Sequence, residues 1–482
     1  MERLETGIAN LDLITGGGFP LGSLVVLAGS PGTGKTVLAQ QICFAAAARG
    51  RRALYFTTLS EPHSKLISHL EQFRFFDAHA IATTVDIVNV AQLAAEKGLG
   101  ALAAEVVRRS FDEEPAVVVI DSSKALHEMG DYSSLRSVLY DMASRVAHSE
   151  AVLFLVGEYS LEDVGRDPEF AVADGIVYLA NESHGPFDQR WLRVLKMRGS
   201  DYLSGKHSFR ITSDGVAVFP RLEATTPPRA EAPKGRVSTG VPALDGMMGG
   251  GIPAASSTLV AGPSGAGKTV LGLHFVEEGL RRGERCLYLS LQETSHQLVA
   301  KARAFGWDFS APLKSGLLSI RYVQPVELEA NVLGSELRAS VLEGPVQRVV
   351  IDSVAELEHA AREEGRFLDY LWSAVELIRS VGASCLLTSE TEAFFGPTFS
   401  LARGASPVAD NIILLRYTEV ASDIRRALNV SKMRDSDHVK SLVEFEIGNR
   451  GIKILSKFEG MSGVLTGSPL PTSEKFREFF GR

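Results

Sequence analysis

Short apolar runs alternate with longer helical patterns along the whole chain. In the first half the patterns between the runs predict helices from Thr36 to about Gly50, from about His63 and from about Ser133. Strands that are apolar throughout, with helices between them, are typical of a largely parallel sheet buried on both faces. The pattern therefore predicts an α/β fold, with extra strands at GIVYLA and in a TSDGVAVF hairpin. The apolar runs are SLVVLAG, ALYFTTL, AVVVID and AVLFLVG, followed by STLVAG, CLYLSL, RVVIDS and SCLLTS.

The chain also repeats itself at a fixed distance. TGIANLDLITGGGFP at 6–20 matches TGVPALDGMMGGGIP at 239–253, and GSPGTGKT at 29–36 matches GPSGAGKT at 262–269. The members of each pair are 233 residues apart, and later landmarks keep nearly the same spacing. Such a period is too long for a solenoid repeat and indicates two copies of one domain.

Length and local composition suggest where the copies meet. The chain has 482 residues, more than one ordinary core of ~150 residues. Alternating charges and three prolines in RLEATTPPRAEAPKGR interrupt the hydrophobic period, as expected for a linker. We predict a first domain over 1–222, a linker over 223–236, and a second domain over 237–482 that ends in a short tail.

Composition narrows the possible functions. Hydrophobic residues make up 45% of the chain and charged residues 22%, which is typical of a globular protein, and the net charge is −8. An acidic chain does not favour nucleic acid as a partner. The start carries Glu2, Glu5 and Asp12 instead of a basic secretory signal, and AVLFLVG falls far short of the ~18–20 residues of a membrane span. We therefore expect a cytoplasmic protein. Three cysteines in apolar runs are predicted core residues: Cys43, Cys286 and Cys385.

Two glycine-rich loops follow a strand and open a helix, which is the context that makes the P-loop motif specific. Glycines let backbone N–H groups converge on phosphates, and the helix N-terminus adds partial positive charge. Lys35 and Lys268 are expected to reach the β- and γ-phosphates of a nucleotide, and Thr36 and Thr269 to hold Mg²⁺. The predicted phosphate-binding residues are Gly29, Gly32, Thr33, Gly34, Lys35 and Thr36, then Gly262, Gly265, Ala266, Gly267, Lys268 and Thr269.

Two aspartates complete the predicted metal sites. Asp121 and Asp352 each end an apolar strand, where a carboxylate at the carboxyl edge of the sheet can reach the Mg²⁺ shell. A lone aspartate after a strand is usually a helix cap. Its place after a P-loop favours the metal role instead.

These motifs together resemble the KaiC family, the circadian-clock ATPases and autokinases of the RecA-like superfamily. The resemblance rests on TG-x-x-x-LD-x-x-x-GGG-[FI]-P, a P-loop, an IDS strand end and K-M-R late in the domain, all present twice, and it covers nearly the whole chain. It implies two tandem RecA-like P-loop NTPase domains and ATP with Mg²⁺ as cofactors. It also implies a homohexamer of two stacked rings with ATP at subunit interfaces, and a KaiB-like regulatory protein as a possible partner.

The resemblance assigns a further role to two basic pairs. Lys196 and Arg198, and likewise Lys432 and Arg434, match the K-x-R pair that in the family reaches the γ-phosphate of the neighbouring subunit. Such a positive charge stabilises the transferring phosphoryl group and can contribute ~10³–10⁵ in rate. From the residues alone, a solvated basic strand end explains them equally well.

The chain departs from the family pattern where an acidic pair should follow the second strand. In TLSEP and SLQET the first acidic position, the usual water activator, is Ser60 in one copy and Gln292 in the other. Neither side chain accepts a proton usefully near neutral pH, so a general-base contribution of ~10²–10⁴ is lost, although glutamine can still orient water. Glu61 and Glu293 remain as the candidate catalytic carboxylates. We therefore expect slow hydrolysis.

A second departure concerns phosphorylation. In the family, adjacent serine and threonine phosphoacceptors precede a strand that here reads NIILL, and ASPVADNIILL places Ser406 on the serine and Pro407 on the threonine. Ser406 is thus the candidate phosphoacceptor of a serine/threonine autokinase, with an ordinary loop serine as the alternative. The short tail PLPTSEKFREFFGR argues against a regulator that grips a long KaiC tail.

Three functions therefore compete. The first is a KaiC-like ATPase that acts as a slow switch or timer. The second is an assembly scaffold that binds ATP but hydrolyses little, as Ser60 and Gln292 would allow. The third is a RecA- or DnaB-like nucleic-acid motor, which the acidic balance and the lack of an aromatic and basic stripe disfavour.

Overall fold

The structure is a computed structural model that describes most of the chain in two compact units, Met1–Thr225 and Thr226–Arg482. The residues described are 2–58, 63–129, 131–184, 187–228, 233–324, 328–360, 365–391, 405–420, 423–434, 436–458, 461–462 and 470–471.

The first unit is built on one large mixed sheet. Its strands lie in the order β11-β10-β9-β8-β3-β7-β6-β4-β5, and β1 and β2 pair separately. The six strands from β8 to β5 are mutually parallel, and β9, β10 and β11 extend that sheet as antiparallel neighbours. The strands are β1 Arg3–Leu4, β2 Phe19–Pro20, β3 Leu24–Gly29, β4 Ala53–Thr57, β5 Val85–Asn89, β6 Val117–Asp121, β7 Val152–Glu158, β8 Gly175–His184, β9 Phe187–Met197, β10 His207–Thr212 and β11 Gly215–Phe219.

Helices connect these strands. The predicted helix after about Ser133 begins at Tyr132, because the Asp131 side chain accepts a hydrogen bond from Ser134 N at 2.8 Å and caps it. The helices are α1 Leu11–Thr15, α2 Lys35–Ala47, α3 His63–Leu70, α4 Ala78–Thr83, α5 Ala91–Glu113 with a break at Gly98, α6 Tyr132–Val146, α7 Pro168–Val172 and α8 Leu222–Thr225, with 3₁₀ turns at Ser123–Met129 and Asp163–Gly165.

The second unit repeats this plan. Its sheet order is β16-β15-β17-β18-β14-β19-β20-β21-β22, with six parallel strands from β16 to β19 and three antiparallel ones beyond. The strands are β12 Arg236–Val237, β13 Ile252–Pro253, β14 Ser257–Gly262, β15 Arg285–Ser290, β16 Leu318–Tyr322, β17 Val346–Asp352, β18 Ser384–Glu390, β19 Asn411–Val420, β20 Asp423–Met433, β21 Val443–Gly448, β22 Gly451–Lys457, β23 Met461–Ser462 and β24 Leu470–Pro471. The helices are α9 Pro242–Met247, α10 Lys268–Arg281, α11 Ser295–Ala304, α12 Ser310–Ser315, α13 Ala330–Leu342, α14 Val354–Ala360, α15 Arg366–Ser380 and α16 Ala405–Val408.

Helices cover both faces of the first sheet, which explains its uninterrupted apolar strands. In β6, Val117 and Val119 belong to the core cluster that contains Leu38 of α2, whereas Val118 and Ile120 belong to the opposite cluster, which includes residues of α5 and α6. Successive side chains on a strand point to opposite faces, so burial of all four requires cover on both sides. The predicted α/β class, with two tandem domains of largely parallel sheet, is confirmed.

The cysteines lie in these cores, as predicted. Cys43, Cys286 and Cys385 are buried and unpaired, and burial raises the pKa of each thiol. Among the described residues, no helix is both long and apolar enough to cross a bilayer.

Candidate nucleotide sites

The first P-loop connects β3 to α2. Gly32 and Gly34 have φ values of 71° and 95°, which favour glycine. A Cβ on Gly29 would lie 2.0 Å from the carbonyl oxygen of Leu179, so the backbone there leaves no room for a side chain. The Thr33 hydroxyl donates to Ser30 O at 2.9 Å and holds the turn closed. The local structure is therefore the tight loop that a P-loop needs, directly before a helix N-terminus.

Lys35 is held inside this loop. Its Nζ donates to Ser30 O at 2.7 Å and the side chain is only 6% exposed. Burial lowers the pKa of Lys35, and the nearby carboxylates of Glu158 and Asp121 oppose that shift. An ammonium group with so little solvent would gain strongly from an anionic partner, which the phosphates of a nucleotide would supply.

Asp121 lies at the carboxyl end of β6 beside the P-loop threonine. Its Oδ2 accepts hydrogen bonds from Thr36 Oγ1 at 2.7 Å and Tyr55 OH at 2.5 Å. Burial raises the pKa of Asp121, while these hydrogen bonds and Lys35 oppose the rise. A buried carboxylate next to a hydroxyl is an all-oxygen donor set, which fits Mg²⁺.

The second P-loop repeats the arrangement between β14 and α10. Gly265 and Gly267 have φ values of 73° and 110°, and Ala266 is fully buried. Lys268 Nζ donates to the carbonyl oxygens of Gly262 and Pro263, both at 2.9 Å. Burial lowers the pKa of Lys268, and the carboxylates of Glu390, Asp352 and Glu356 oppose that shift.

Asp352 is held by one more hydroxyl than Asp121. Its Oδ2 accepts from Thr269 Oγ1 at 2.8 Å and from Tyr288 OH at 2.7 Å, as in the first site. The Thr388 hydroxyl additionally donates to Oδ1. Residue Val156 of β7 pairs with Asp121 at the corresponding place and has no hydroxyl to offer.

The carboxylate predicted to act in the second site is paired elsewhere. Glu293 Oε1 lies 2.6 Å from Lys301 Nζ of α11, and the pair is partly exposed. Gln292 instead donates from Nε2 to Glu356 Oε1 at 2.7 Å. Ser60 and Glu61 lie outside the described residues.

Strand register refines the comparison between TLSEP and SLQET. Thr57 pairs with Asp121, and Ser290 pairs with Asp352, so Thr57 and Ser290 occupy equivalent places. Direct alignment of the two motifs instead sets Thr58 against Ser290, so strand register shifts the comparison by one residue. Residues 59–62 lie outside the described residues.

In each unit the basic pair lies toward the amino ends of the parallel strands. The P-loop of the same unit follows the carboxyl end of its strand. Lys196 pairs with Ile176 of β8, which pairs with Val26 of β3. Val26 precedes Gly29 by three residues, about 10 Å along the strand. Lys432 pairs with Ile412, which is opposite Leu259 and about 10 Å from the end of β14. Neither pair is therefore directed at its own phosphate loop.

Each pair makes matching contacts. Lys196 Nζ donates to Ala173 O at 2.5 Å and Lys432 Nζ donates to Ala409 O at 2.7 Å. Arg198 lies 3.3 Å from Asp174 and Arg434 lies 3.5 Å from Asp410. Burial and the adjacent arginine lower the pKa of both lysines. The arginine side chains are 63% and 47% exposed, so both guanidinium groups are accessible in the single chain.

Ser406 lies next to the second basic pair. It is on α16, and its carbonyl oxygen accepts a hydrogen bond from Lys432 Nζ at 3.0 Å. The neighbouring Pro407 carbonyl accepts one from Arg434 at 3.1 Å. The predicted phosphoacceptor, Ser406, is thus close to the basic pair Lys432 and Arg434 and distant from the P-loop of its own unit.

Several site residues were not predicted from the motifs. Tyr55 and Tyr288 bind the aspartates, and Glu158 and Glu390 lie opposite Gly29 and Gly262 at the ends of adjacent strands. Each pair occurs in both copies, so closer comparison of the repeats could have found them. Glu356 occurs in one copy only, and no pattern in the sequence points to it.

Comparisons with known proteins agree with the repeated architecture. A family model described as the KaiC ATPase matches twice, over residues 4–223 and 237–459. A relative named circadian clock protein KaiC3, from Synechocystis sp., is 30% identical over 98% of this chain and 96% of its own length. A relative named circadian clock oscillator protein KaiC, from Parathermosynechococcus lividus, is 29% identical over 97% of this chain and 88% of its own length.

Proposed function

Because the chain belongs to the KaiC family of ATPases and carries two tandem domains of that family, we propose that it is a homohexameric switch or timer that binds two ATP molecules per chain and hydrolyses them slowly. The observation that carries this proposal is the duplicated group of P-loop lysine, threonine and strand-end aspartate. Both copies are complete, so both are proposed to bind nucleotide.

Each site offers matched groups for ATP and Mg²⁺. Lys35 and Lys268 are proposed to contact the phosphates, since both ammonium groups are buried beside carboxylates and backbone carbonyls. Thr36 with Asp121, and Thr269 with Asp352, are proposed to hold Mg²⁺ through oxygen atoms already close together. When bound, Mg²⁺ would neutralise charge that develops on the phosphates.

Assembly would complete each site. The two basic pairs lie at the end of their sheet opposite the P-loop of the same unit, so they do not contact that loop. The pairs are Lys196 with Arg198, and Lys432 with Arg434. They are proposed to reach the nucleotide held by a neighbouring chain, where a guanidinium would stabilise the transferring phosphoryl group. A closed ring supplies every site with such a neighbour, and six chains is the number the family resemblance implies.

The same geometry supports an autokinase activity in the second domain. Ser406 lies beside Lys432 and Arg434, so a neighbour's phosphate bound by that pair would also be near Ser406. Transfer would therefore be between chains. A KaiB-like regulator enters this proposal only through family relationship.

An assembly scaffold with little hydrolysis is the second candidate. It is favoured by the Glu293–Lys301 pair, which engages the only acidic residue of SLQET. A scaffold would need ATP binding for assembly and no proton acceptor at all.

Native mass measurements and phosphate release test both candidates together. We expect hexamers with ATP and Mg²⁺, accompanied by slow release that falls when Lys35 or Lys268 is replaced with alanine. Hexamers without release would favour the scaffold. Monomers at micromolar concentration in saturating ATP would contradict the assembly, and unchanged ATP affinity in both lysine variants would contradict the nucleotide sites.

A further inference from the structure

Glu356 is a carboxylate of the second unit that no motif of the chain indicates. It lies on α14, four residues after Asp352. Its Oε1 accepts from Gln292 Nε2 at 2.7 Å, and its Oε2 accepts from the Ser353 hydroxyl. Both oxygens are thus oriented, and the carboxylate is held against the side chain at the position where family resemblance expects a water activator.

The surroundings place Glu356 within the site. Lys268 interacts electrostatically with Glu390 of β18, Asp352 of β17 and Glu356 of α14. Glu293, on the loop before α11, is already paired with Lys301. Among the described carboxylates around the second P-loop, Glu356 is the one that contacts Gln292, whereas Asp352 is bound by Thr269 and Thr388.

The first unit differs at this place. Ala125 stands four residues after Asp121, as Glu356 does after Asp352, and it belongs to a 3₁₀ turn instead of an α-helix. Among the described residues of the first unit, Lys35 interacts with the carboxylates of Glu158 and Asp121. The described part of that unit thus has Ala125, and no carboxylate, at the place of Glu356.

We propose that Glu356 is the proton acceptor of the second site and that Gln292 orients the attacking water beside it. This inference rests on the proposed function, because it requires hydrolysis in the second domain. It replaces Glu293 by Glu356 in the catalytic role there. An amide supplies both a donor and an acceptor, so Gln292 can donate to Glu356 while its carbonyl oxygen accepts from a water molecule.

The step is balanced without a further reactant. The water oxygen forms a bond to the γ-phosphorus, and the bond from that phosphorus to the oxygen bridging to the β-phosphate breaks, its electron pair leaving with ADP. The proton released by the water passes to Glu356, which later returns it to solvent. A carboxylate suits this role because it is ionised at neutral pH and a glutamine is not basic.

The test uses the full chain with Lys35→Ala, which leaves the second site as the source of hydrolysis. Glu356→Gln preserves size and can still accept the Gln292 hydrogen bond but cannot take the proton. We expect its kcat to fall by ~10²-fold or more with the ATP dissociation constant unchanged. Glu293→Gln should retain kcat within about threefold, because only a partly exposed ion pair is lost.

Glu358→Gln is the matched control. It makes the same chemical change on α14 two residues away, which places it on a different side of the helix. Its kcat should equal that of the parent. Added formate should partly restore Glu356→Ala and leave Glu358→Ala unchanged, a response that a merely structural role would not produce.

The outcomes separate the inference from the proposed function. Unchanged kcat in Glu356→Gln, a larger loss in Glu293→Gln, or no formate response would overturn the role of Glu356 alone. Phosphate release from Lys35→Ala no greater than from Lys35→Ala/Lys268→Ala would overturn hydrolysis in the second site, and the inference with it.

Discussion

The two nucleotide sites of this chain share their phosphate loop but differ around the aspartate that follows it. Asp121 and Asp352 each accept from a P-loop threonine and a buried tyrosine. Asp352 also accepts a hydrogen bond from the hydroxyl of Thr388, whereas the corresponding residue of the first site is Val156. The two copies thus share the threonine and tyrosine contacts of the aspartate and differ in the residue beside it on the next strand.

The segment after each aspartate differs further. In the first unit Ser123 contacts Tyr159 at 2.9 Å, and Tyr159 donates to the fully buried Glu169 at 2.8 Å, which also contacts His127 at 2.7 Å. These contacts join the 3₁₀ turn after Asp121 to the residue that follows β7 and to α7. In the second unit the residue four places after the aspartate is Glu356, which accepts a hydrogen bond from Gln292, whereas the first unit has Ala125 at that place.

This difference suggests different tasks for the two domains. Binding of ATP requires the shared groups only, so both domains should bind. Proton removal requires a carboxylate near the γ-phosphate, and in the second site we propose Glu356 for that role.

Loss of the arginine should affect both sites equally if both are completed by a neighbour. Arg198→Ala or Arg434→Ala should lower turnover of the corresponding domain by ~10³-fold or more, measured as phosphate release. Mixing Arg434→Ala with Lys268→Ala chains, each also carrying Lys35→Ala, should restore part of the activity. About a quarter of randomly formed interfaces would combine Lys268 from one chain with Arg434 from its neighbour. No recovery on mixing would contradict a shared site.

Loss of the P-loop lysine should weaken binding in one domain at a time. A charged hydrogen bond is worth ~1.5–3 kcal/mol, so Lys35→Ala and Lys268→Ala should each raise the dissociation constant of one site by roughly 10–150-fold. Calorimetric titration should then resolve one unchanged and one weakened site. Lys301→Ala, which removes a partly exposed lysine of the second unit, is the control. Two weakened sites from a single change would indicate that the domains are coupled.

Low pH should destabilise the second unit more than the first, because the two repeats carry different residues at one equivalent position. His274 and Gln41 are 233 residues apart, and each accepts from a backbone N–H of the corresponding hairpin, Ile452 N at 2.8 Å and Val216 N at 2.7 Å. Burial lowers the pKa of His274 to about 4. His274 binds a proton more readily in the unfolded chain than in the folded one. The contribution of neutral His274 to the free energy of unfolding is therefore complete above pH about 6.5 and is lost as the pH falls toward about 4.

Exchanging the two residues measures that contribution. His274→Gln removes this pH dependence. Its effect on the free energy of unfolding of the second unit should be more stabilising at pH 5 than at pH 7.5, by about 2 kcal/mol. Hydrogen exchange at β22 is a suitable probe. Gln41→His should transfer the acid sensitivity to β11 of the first unit. Equal protection of β22 at both pH values in the parent would refute the assignment.

Much of this architecture could be predicted from the sequence, because its signals are local. The P-loops, the apolar strands and the strand-end aspartates are contiguous patterns, and the repeat at 233 residues identifies each twice. Strand register places Thr57 and Ser290 beside those aspartates, which a motif comparison missed by one residue. Register depends on pairing between distant segments and has no local signal.

The contacts of the second site were beyond the sequence for the same reason. Gln292 and Glu356 are 64 residues apart, and a glutamate on a short helix is typical of a solvated surface. Likewise, Lys301 lies two turns into the next helix, and nothing in SLQET indicates that it takes Glu293. We therefore propose Glu356 in place of Glu293 as the base, because tertiary packing decides which carboxylates are already engaged.

Gln292→Glu should give the smallest effect and the finest comparison. It restores a carboxylate where family resemblance expects one, so turnover of the second domain should rise a few-fold at alkaline pH, measured in the Lys35→Ala background. The new carboxylate would also lie against Glu356, since the present contact is 2.7 Å. Like charges this close raise the pKa of one partner, so the acidic limb of the turnover profile should move to higher pH by about one unit or more. Adding Glu356→Gln should remove this shift and keep the alkaline gain, because one carboxylate then remains. A pH profile of Gln292→Glu that superimposes on the parent would mean that the two side chains are not neighbours during turnover.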